Sequence, residues 1–519
     1  MPRIPLRRTG SVPRPTSGDV VAGVTVALVL IPQSLAYAEL AGMPPQHGLY
    51  VAALAPIAAA ALQSSPYLQT GPVAITSLLA FGALAPLAPP GSPEYVGLAG
   101  LLALGVGVAR VLLGLLRAGA VAYLMSQPVL AGFTVASGLL IASSQLPSVL
   151  GLSAEDPSPV RSALTALGRP GDWDLVAVGF AAAALVGIHL GRKVSPLFPA
   201  VPLVAAAAIA VSSWIGYDGR RVGDVPSGLP QLNLDLPWGS TGALLVPAVV
   251  IALVGFAEPA AIARRYAAED RARWDPDREL VGQGVANIVA GFGGGYPVGG
   301  SFSRTSLGRL AGARTSWSGA VTGLVVLSFL PFVQVLSPLP TAVLGALVIY
   351  AVLPLINFGA FRAFWRFSRV QFTVAVPTFV ATLALAPRVD LAVLGGIALA
   401  VLVHLWRELQ LEMPIEVAGD TLEVRPEGVL YFASAPGLQE ELNRLLAEHP
   451  DARRMRVHLD RLGRVDMSGA LALREALAEA SAAGLDVEIC DVPATSRRIV
   501  DSCLADLVAD DERGDSTHP

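Results

Sequence analysis

The sequence predicts a polytopic α-helical membrane protein, with fourteen apolar segments in two inverted repeats of seven, followed by a small soluble α/β domain. Three observations lead there. The chain is 53% hydrophobic and only 15% charged, against roughly 25% charged in an ordinary soluble protein. Basic residues collect in every second connection between apolar runs. Two short, interrupted segments recur at matching positions in the two halves.

The charge deficit is concentrated in long stretches. No Asp, Glu, Lys or Arg occurs from Leu40 to Pro93, from Ala118 to Ala154 or from Thr315 to Phe361. Each stretch can hold two apolar spans of roughly 20 residues joined by a turn. After Met413 charges become frequent and apolar residues fall into short runs or helical spacing. The expected division is a cytoplasmic tail over 1–17, a membrane body over 18–410, a soluble domain over 411–508 and a second tail over 509–519. Arg3, Arg7, Arg8 and Arg14 before an apolar run, with Ala36-Tyr37-Ala38 imitating a cleavage site, resemble a signal peptide. The many later segments, and the charge asymmetry that results from keeping the first one, favour retention.

The apolar segments centre near residues 29, 56, 78, 105, 133, 182, 205, 252, 286, 305, 325, 347, 378 and 398. With a cytoplasmic N-terminus, cytoplasmic connections should be basic. They carry Arg117, then Arg192 and Lys193, then Arg264 through Arg278, then Arg309 and Arg314, then Arg362, Arg366 and Arg369. Opposite connections hold Glu94, Glu155, Asp156, Asp172 and Asp174, with Arg161, Arg169, Arg220, Arg221 and Arg388 as exceptions. Both termini are thus expected in the cytoplasm of a cell whose plasma (inner) membrane holds the protein.

One interrupted segment follows Gly71-Pro72 and the other Gly299-Gly300, 229 residues on. The same offset relates Glu258 to Val29 in the first segment, so seven segments repeat once, and an odd repeat inverts. Paired broken segments point to a transporter binding site, where half-helix N-termini face one another near the membrane middle. Their free N–H groups and partial positive charge suit an anion. Ordinary loops or tight helix packing would also use Gly, Pro and Ser; the matching positions favour a site. Glu39, Glu258 and Arg304 lie at membrane depth, where ionisable groups are costly and often functional. Arg304 in the first turn of the second half-helix can complement an anion, or snorkel to the surface. Glu258 is a candidate proton carrier, or a structural carboxylate bonded to a neighbouring helix or Arg264. Glu39 is read as solvated or structural.

The motifs Ile31-Pro32-Gln33-Ser34-Leu35-Ala36-Tyr37-Ala38, Pro44-Pro45-Gln46-His47-Gly48-Leu49-Tyr50, Gly71-Pro72-Val73-Ala74, Glu279-Leu280, Asn287-Ile288 and Gly300-Ser301-Phe302-Ser303-Arg304-Thr305-Ser306 resemble the SulP family of sulfate permeases and related anion transporters. His47 stands where that family usually has Tyr. The resemblance implies core and gate domains, commonly in a homodimer, with the substrate between the third and tenth segments. It implies Gln33 and Tyr37 from the first segment, Val73 and Ala74 from the third, and Ser301, Phe302, Ser303 and Arg304 from the tenth as substrate-binding residues. It also places Glu258 at the position linked to proton or cation coupling, which favours symport over exchange.

In the soluble part, strands are expected at Thr421–Val424, Val429–Phe432, Met455–Leu459 and Val487–Ile489. Helices are expected at Leu438–Glu448, Ala470–Ala483 and from near Ala494. This pattern resembles a STAS domain, also found in anti-sigma factor antagonists. Met467 occupies the position of their phosphorylated serine, and Ser468 is read as a helix cap. A cytoplasmic partner for this domain is implied.

The resulting function is secondary active transport of a small inorganic or organic anion (sulfate, bicarbonate, chloride or dicarboxylate), coupled to H+ in preference to Na+, with no cofactor and no bound metal. Lipid is a partner of the membrane body, and no basic, aromatic-interleaved stripe implies nucleic acid. Alternatives are a nucleobase-type permease of similar architecture and a membrane-anchored anion sensor signalling through the soluble domain. An enzyme is the least favoured class: the six histidines are scattered and no H-E-x-x-H or G-x-S-x-G motif occurs.

Overall fold

The protein is described from a computed structural model, which covers residues 14–120, 126–154, 156, 158–409, 413–431 and 434–508. The arginines at 3, 7 and 8, Glu155, Phe432 and the tail over 509–519 lie outside the described residues. The chain divides into two compact units at Ile397/Ala398.

The first unit opens with α1 (Ser17–Leu40), α2 (Pro45–Leu62), the two-residue strand β1 (Thr70–Gly71), α3 (Ala74–Leu84) and α4 (Pro93–Leu115). Then come α5 (Gln127–Val149), α6 (Pro159–Leu167), α7 (Leu175–Val194) and α8 (Ala200–Ile215). The second half repeats the order with α9 (Thr241–Glu269), α10 (Pro276–Phe292), β2 (Gly299–Gly300), α11 (Phe302–Leu310) and α12 (Trp317–Phe329). It closes with α13 (Thr341–Val352), α14 (Gly359–Phe367), α15 (Arg369–Ala384) and α16 (Val389–Leu409), which runs across the division. A helix covers each of the fourteen expected centres. Only eight helical stretches among the described residues are long and apolar enough to cross a membrane. Length and composition therefore do not reproduce the count of fourteen: α3, α8 and α15 are apolar but short, α10 has 17 residues and α11 only nine.

Packing sorts these helices into two groups. α1–α4 pack with α9–α12, while α5–α8 pack with α13–α15. Within the first group, Gly100, Gly107 and Gly114 on α4 meet α10, where Gly284 and Gly291 answer them. A Cβ at Gly107 would lie 2.6 Å from the Gly284 carbonyl, and one at Gly291 2.6 Å from the Gly100 carbonyl. Spacing of seven keeps the small residues on one face, which is how helices approach closely in lipid.

Buried polar groups tie the two halves across long sequence distances. Asp19 accepts from the N–H groups of Arg314 and Thr315 and from the Thr315 hydroxyl, all at 2.8 Å. Glu279 accepts from the N–H groups of Ser64 and Ser65 at 3.1 and 2.7 Å. His47, the residue that departs from the family pattern, has Nδ1 2.5 Å from the Gly294 carbonyl oxygen. Hydrogen-bonded in this way, each group avoids the cost of lying unpaired in a low-dielectric interior.

In the second unit, β3 (Ile415–Ala418), β4 (Thr421–Val424), β5 (Gly428–Leu430), α17 (Ala435–Glu448), β6 (Arg454–His458), β7 (Leu462–Val465), α18 (Met467–Ala482), β8 (Asp486–Cys490) and α19 (Arg497–Cys503) follow in order. One sheet has the order β3-β4-β6-β8, antiparallel at its first pair and parallel thereafter; β5 and β7 form a separate parallel pair. Leu438, Leu442 and Leu445 of α17 and Leu473, Leu477 and Ala480 of α18 join Leu422, Val424, Met455, Val457 and Ile489 in one apolar core, as the helical and alternating patterns require. Two expectations are corrected. Asp466, not Ser468, caps α18, its carboxylate accepting from the Gly469 N–H at 2.7 Å; Ser468 is one residue inside the helix. The last helix starts at Arg497 because the Pro493 carbonyl first closes a turn with the Ser496 and Arg497 N–H groups. Strands β3 and β7 are additional to the sequence expectation.

Candidate functional site

The two interrupted segments meet as an antiparallel pair, Thr70 opposite Gly300 and Gly71 opposite Gly299, extended by a bond from the Ser301 N–H to the Gln69 carbonyl at 3.1 Å. Because the pair is antiparallel, the chain leaves it toward α3 and toward α11 from opposite ends. Glycine is needed because other chains press in: a Cβ at Gly300 would lie 2.7 Å from Leu68 and 3.1 Å from Pro259. Gln69 locks the crossing from within, its N–H donating to the Thr305 hydroxyl at 3.0 Å and its side-chain amide to Ser318 at 3.1 Å. Gln283 donates to Thr70 at 2.6 Å. Asn287 accepts from the Val298 N–H at 2.9 Å and donates to its carbonyl at 3.2 Å.

The start of α3 is bare. Val73 is its N-cap in extended conformation, and no side chain caps the helix. Val73 and Ala74 are both buried, and the Thr76 hydroxyl turns back to the Val73 carbonyl at 3.2 Å. The start of α11 is furnished. Ser301 is the N-cap and accepts from the Arg304 N–H at 3.5 Å, with the Ser303 hydroxyl 3.2 Å away. The Phe302 N–H donates to Glu258 Oε1 at 3.3 Å. Phe302 thus contributes its backbone; its ring is 41% exposed and lies under the Arg265 guanidinium, 5.4 Å from centroid to Cζ.

Arg304 does not snorkel. It is 1% exposed, and all three guanidinium nitrogens are buried without a hydrogen-bond partner. Nη2 approaches Gly71 closely, 3.5 Å from where a Cβ would stand. The ionisable groups within its electrostatic reach are Tyr37, Glu258 and Tyr296. Tyr37 and Gln33, one helical turn apart on α1, are both buried, and Gln33 Oε1 has no partner. Glu258 is partly buried on α9, immediately before the internal Pro259. Gln33 and Ser303 also face a small cavity of about 40 Å³, shared with Arg192 and Tyr350. Sequence reasoning missed Tyr296, which is fully buried and within electrostatic reach of Arg304. An aromatic residue inside the run Gly293-Gly294-Gly295-Tyr296-Pro297 was the available signal. Glu39 lies apart, within reach of Ser148 and Arg220.

A buried guanidinium with no hydrogen-bond partner, two helix starts and several unpaired polar atoms make this junction attractive to negative charge, since a buried cation whose donors are unused is unfavourable until an acceptor reaches it. The fold and this site define a helical membrane transporter of anions, not an enzyme. The chain belongs to the sulfate permease family, which it matches over residues 17–378, and it carries a STAS domain over 412–508. A probable sulfate transporter of Mycobacterium tuberculosis (strain CDC 1551 / Oshkosh) is 38% identical over 394 residues, 74% of this chain and 69% of that protein. The fold resembles that of the murine Solute Carrier 26 family member A9 anion transporter in its inward-facing state, with a TM-score of 0.86 and 20% identity over 96% of this chain and 90% of that one. It also resembles the transmembrane domain of the cyanobacterial bicarbonate transporter BicA, with a TM-score of 0.63 and 23% identity, covering 74% and 97% of the respective chains.

Proposed function

We propose that this protein is a proton-coupled symporter of a small oxyanion, working by alternating access, with the anion held between the starts of α3 and α11. The carrying observation is Arg304: a buried guanidinium with no protein partner, at the junction of two half-helix N-termini. Gln33, Tyr37, Val73, Ala74, Ser301, Ser303 and the Phe302 N–H surround that junction. Sulfate is the first substrate to test, because the mycobacterial relative carries that name, and bicarbonate the second, after the cyanobacterial structure.

Coupling follows from Glu258. Its carboxylate accepts the Phe302 N–H, one of the donors that an anion at this junction would use, so ionised Glu258 competes with substrate for the same end of α11. A proton on Glu258 removes the negative charge and weakens its hold on that N–H. Bound anion in turn favours the proton, and the two bind cooperatively, as linkage requires. The charge asymmetry of the connections supports cytoplasmic termini in the plasma membrane, and a homodimer is the assembly expected of the family resemblance.

The test is uptake of sulfate, bicarbonate, chloride and dicarboxylates into proteoliposomes, with an imposed inward H+ or Na+ gradient. Proton-driven accumulation of one anion, lost in Glu258→Gln while counterflow persists, is the expected result. Gradient-independent exchange in the wild type, or proton-driven accumulation unchanged by Glu258→Gln, would overturn the coupling.

A further inference from the structure

A second arginine is buried in the same helix group, on an element that the site does not use. Arg110 of α4 is 0% exposed. Its Nε donates to the Ala252 carbonyl at 3.1 Å, Nη2 to the Ile251 carbonyl at 3.3 Å and Nη1 to the Val298 carbonyl at 3.0 Å. Among the described residues no Asp or Glu forms an ion pair with it. The carbonyls do not need it. Ile251 and Ala252 lie inside the continuous helix α9, where the N–H groups four residues on supply their bonds, and the Val298 carbonyl already accepts from Asn287. A neutral side chain would have spared the cost of burying an unpaired charge.

The charge stands immediately behind the anion junction. A Cβ on Gly255 would lie 2.6 Å from Arg110 Nη2 and 3.0 Å from the Thr76 methyl group. Thr76 is in the first turn of α3, Gly255 is one turn before Glu258 on α9, and Val298 immediately precedes β2. The guanidinium therefore bonds α9 and the residue before β2 and faces the first turn of α3 across Gly255, without its nitrogens being free to bind a ligand.

We infer that Arg110 is a fixed positive charge that sets the preference of the site for dianions over monoanions. It is a positioning residue, acting through its field. The inference rests on the anion site proposed above. The interaction of a fixed charge with an ion scales with that ion's charge, so a dianion gains twice the free energy of a monoanion. For any fixed charge roughly 10 Å from an ion at an effective dielectric constant of about 20, neutralisation weakens a monoanion by about tenfold and a dianion by more than about a hundredfold. A purely structural role, in which loss of Arg110 displaces α9 or the segment before β2, lowers both affinities by a common factor.

The experiment is calorimetric titration of the purified full-length protein with sulfate and perchlorate, tetrahedral oxyanions of similar size and different charge. Arg110→Met should lose about twice as many decades of affinity for sulfate as for perchlorate. Arg110→Lys, which keeps the charge and loses the three-carbonyl fork, should keep the wild-type sulfate-to-perchlorate ratio. Should the Met variant fail to fold, Arg110→Gln, which retains a donor, is read instead. Equal losses for the two anions, or a Lys variant that behaves like the neutral one, overturn the inference and leave the site reading intact. If the wild type binds neither anion, or Arg304→Met binds both normally, the site reading itself fails and takes this inference with it.

Discussion

The starts of α3 and α11 occupy equivalent places in the two halves, yet they are finished differently. At α3 the helix opens on Ala74 and Ile75, no side chain caps it, and the Thr76 hydroxyl is turned back to the Val73 carbonyl. At α11 a serine caps the helix, a carboxylate takes the next N–H and a buried guanidinium projects from the first turn. In the proposed mechanism the inverted repeat offers the anion two helix starts, and only one of them needs to be switchable. The bare end supplies constant donors at no cost in competition. The furnished end carries both the strongest attraction for an anion and the group that opposes it.

Arg304→Met should be the most damaging change to this pair. Hydrogen bonds to charged groups contribute about 1.5–3 kcal/mol each, so losing two of them predicts at least a hundredfold weaker anion binding, read by calorimetry on folded protein. Near-normal affinity would remove the distinction between the two ends. Next, Ala74→Leu at the bare end should abolish counterflow while leaving the protein folded, because added carbon atoms fill the space above the free N–H groups. Survival of transport would place the anion wholly on α11.

Exchanging the caps is subtler. Val73→Ser offers α3 a cap worth about 1 kcal/mol and should raise its stability while weakening anion binding, since a donor becomes occupied. Ser301→Ala should cost about 1 kcal/mol of stability with a smaller effect on affinity. Hydrogen exchange of the two helix starts, alongside titration, separates these outcomes; identical responses would mean the ends are interchangeable.

The smallest effect belongs to a paired charge in the soluble unit, the opposite of the unpaired Arg304. His458 bridges two carboxylates, with Nδ1 2.5 Å from Asp491 Oδ2 and Nε2 hydrogen-bonded to Glu423. Burial alone would lower its pKa, but the bonds to Glu423 and Asp491 outweigh that and raise it above the ordinary value. Its stabilisation is therefore complete below about pH 6.5 and is lost as pH rises through the raised value of the folded state. The melting temperature of this unit in the full-length protein should fall by about 4 °C or less across that window, and His458→Gln should flatten the fall.

Much of the membrane body was legible because its signals are local. Gly71-Pro72 and Gly299-Gly300 mark where helices cannot continue, and Arg304 declares itself by lying two residues into a short segment. Arg110 gave no such sign: in sequence it is one charge in an apolar run, and only the approach of α9 and Val298 shows what holds it. Asp19, Gln69 and Glu279 were equally mute, since each bonds to a partner more than 200 residues away. In the soluble unit, β3 carries Glu416 and β7 carries Arg464, so neither offers the apolar run that identifies a buried strand. The cap of α18 was misassigned by two residues because Asp466 and Ser468 are both good capping residues, and position alone decides between them.

The ladder between β1 and β2 also has a consequence for how the protein is made. Its partners are about 230 residues apart, so at a synthesis rate of roughly 5–20 residues per second the first strand exists for about 10–50 s before the second emerges. During that interval the backbone of Gln69, Thr70 and Gly71 has no strand partner, and lipid supplies none. The first half of the chain must therefore wait in a hydrated or protein-lined setting, and the anion site closes only when the second half arrives to complete it.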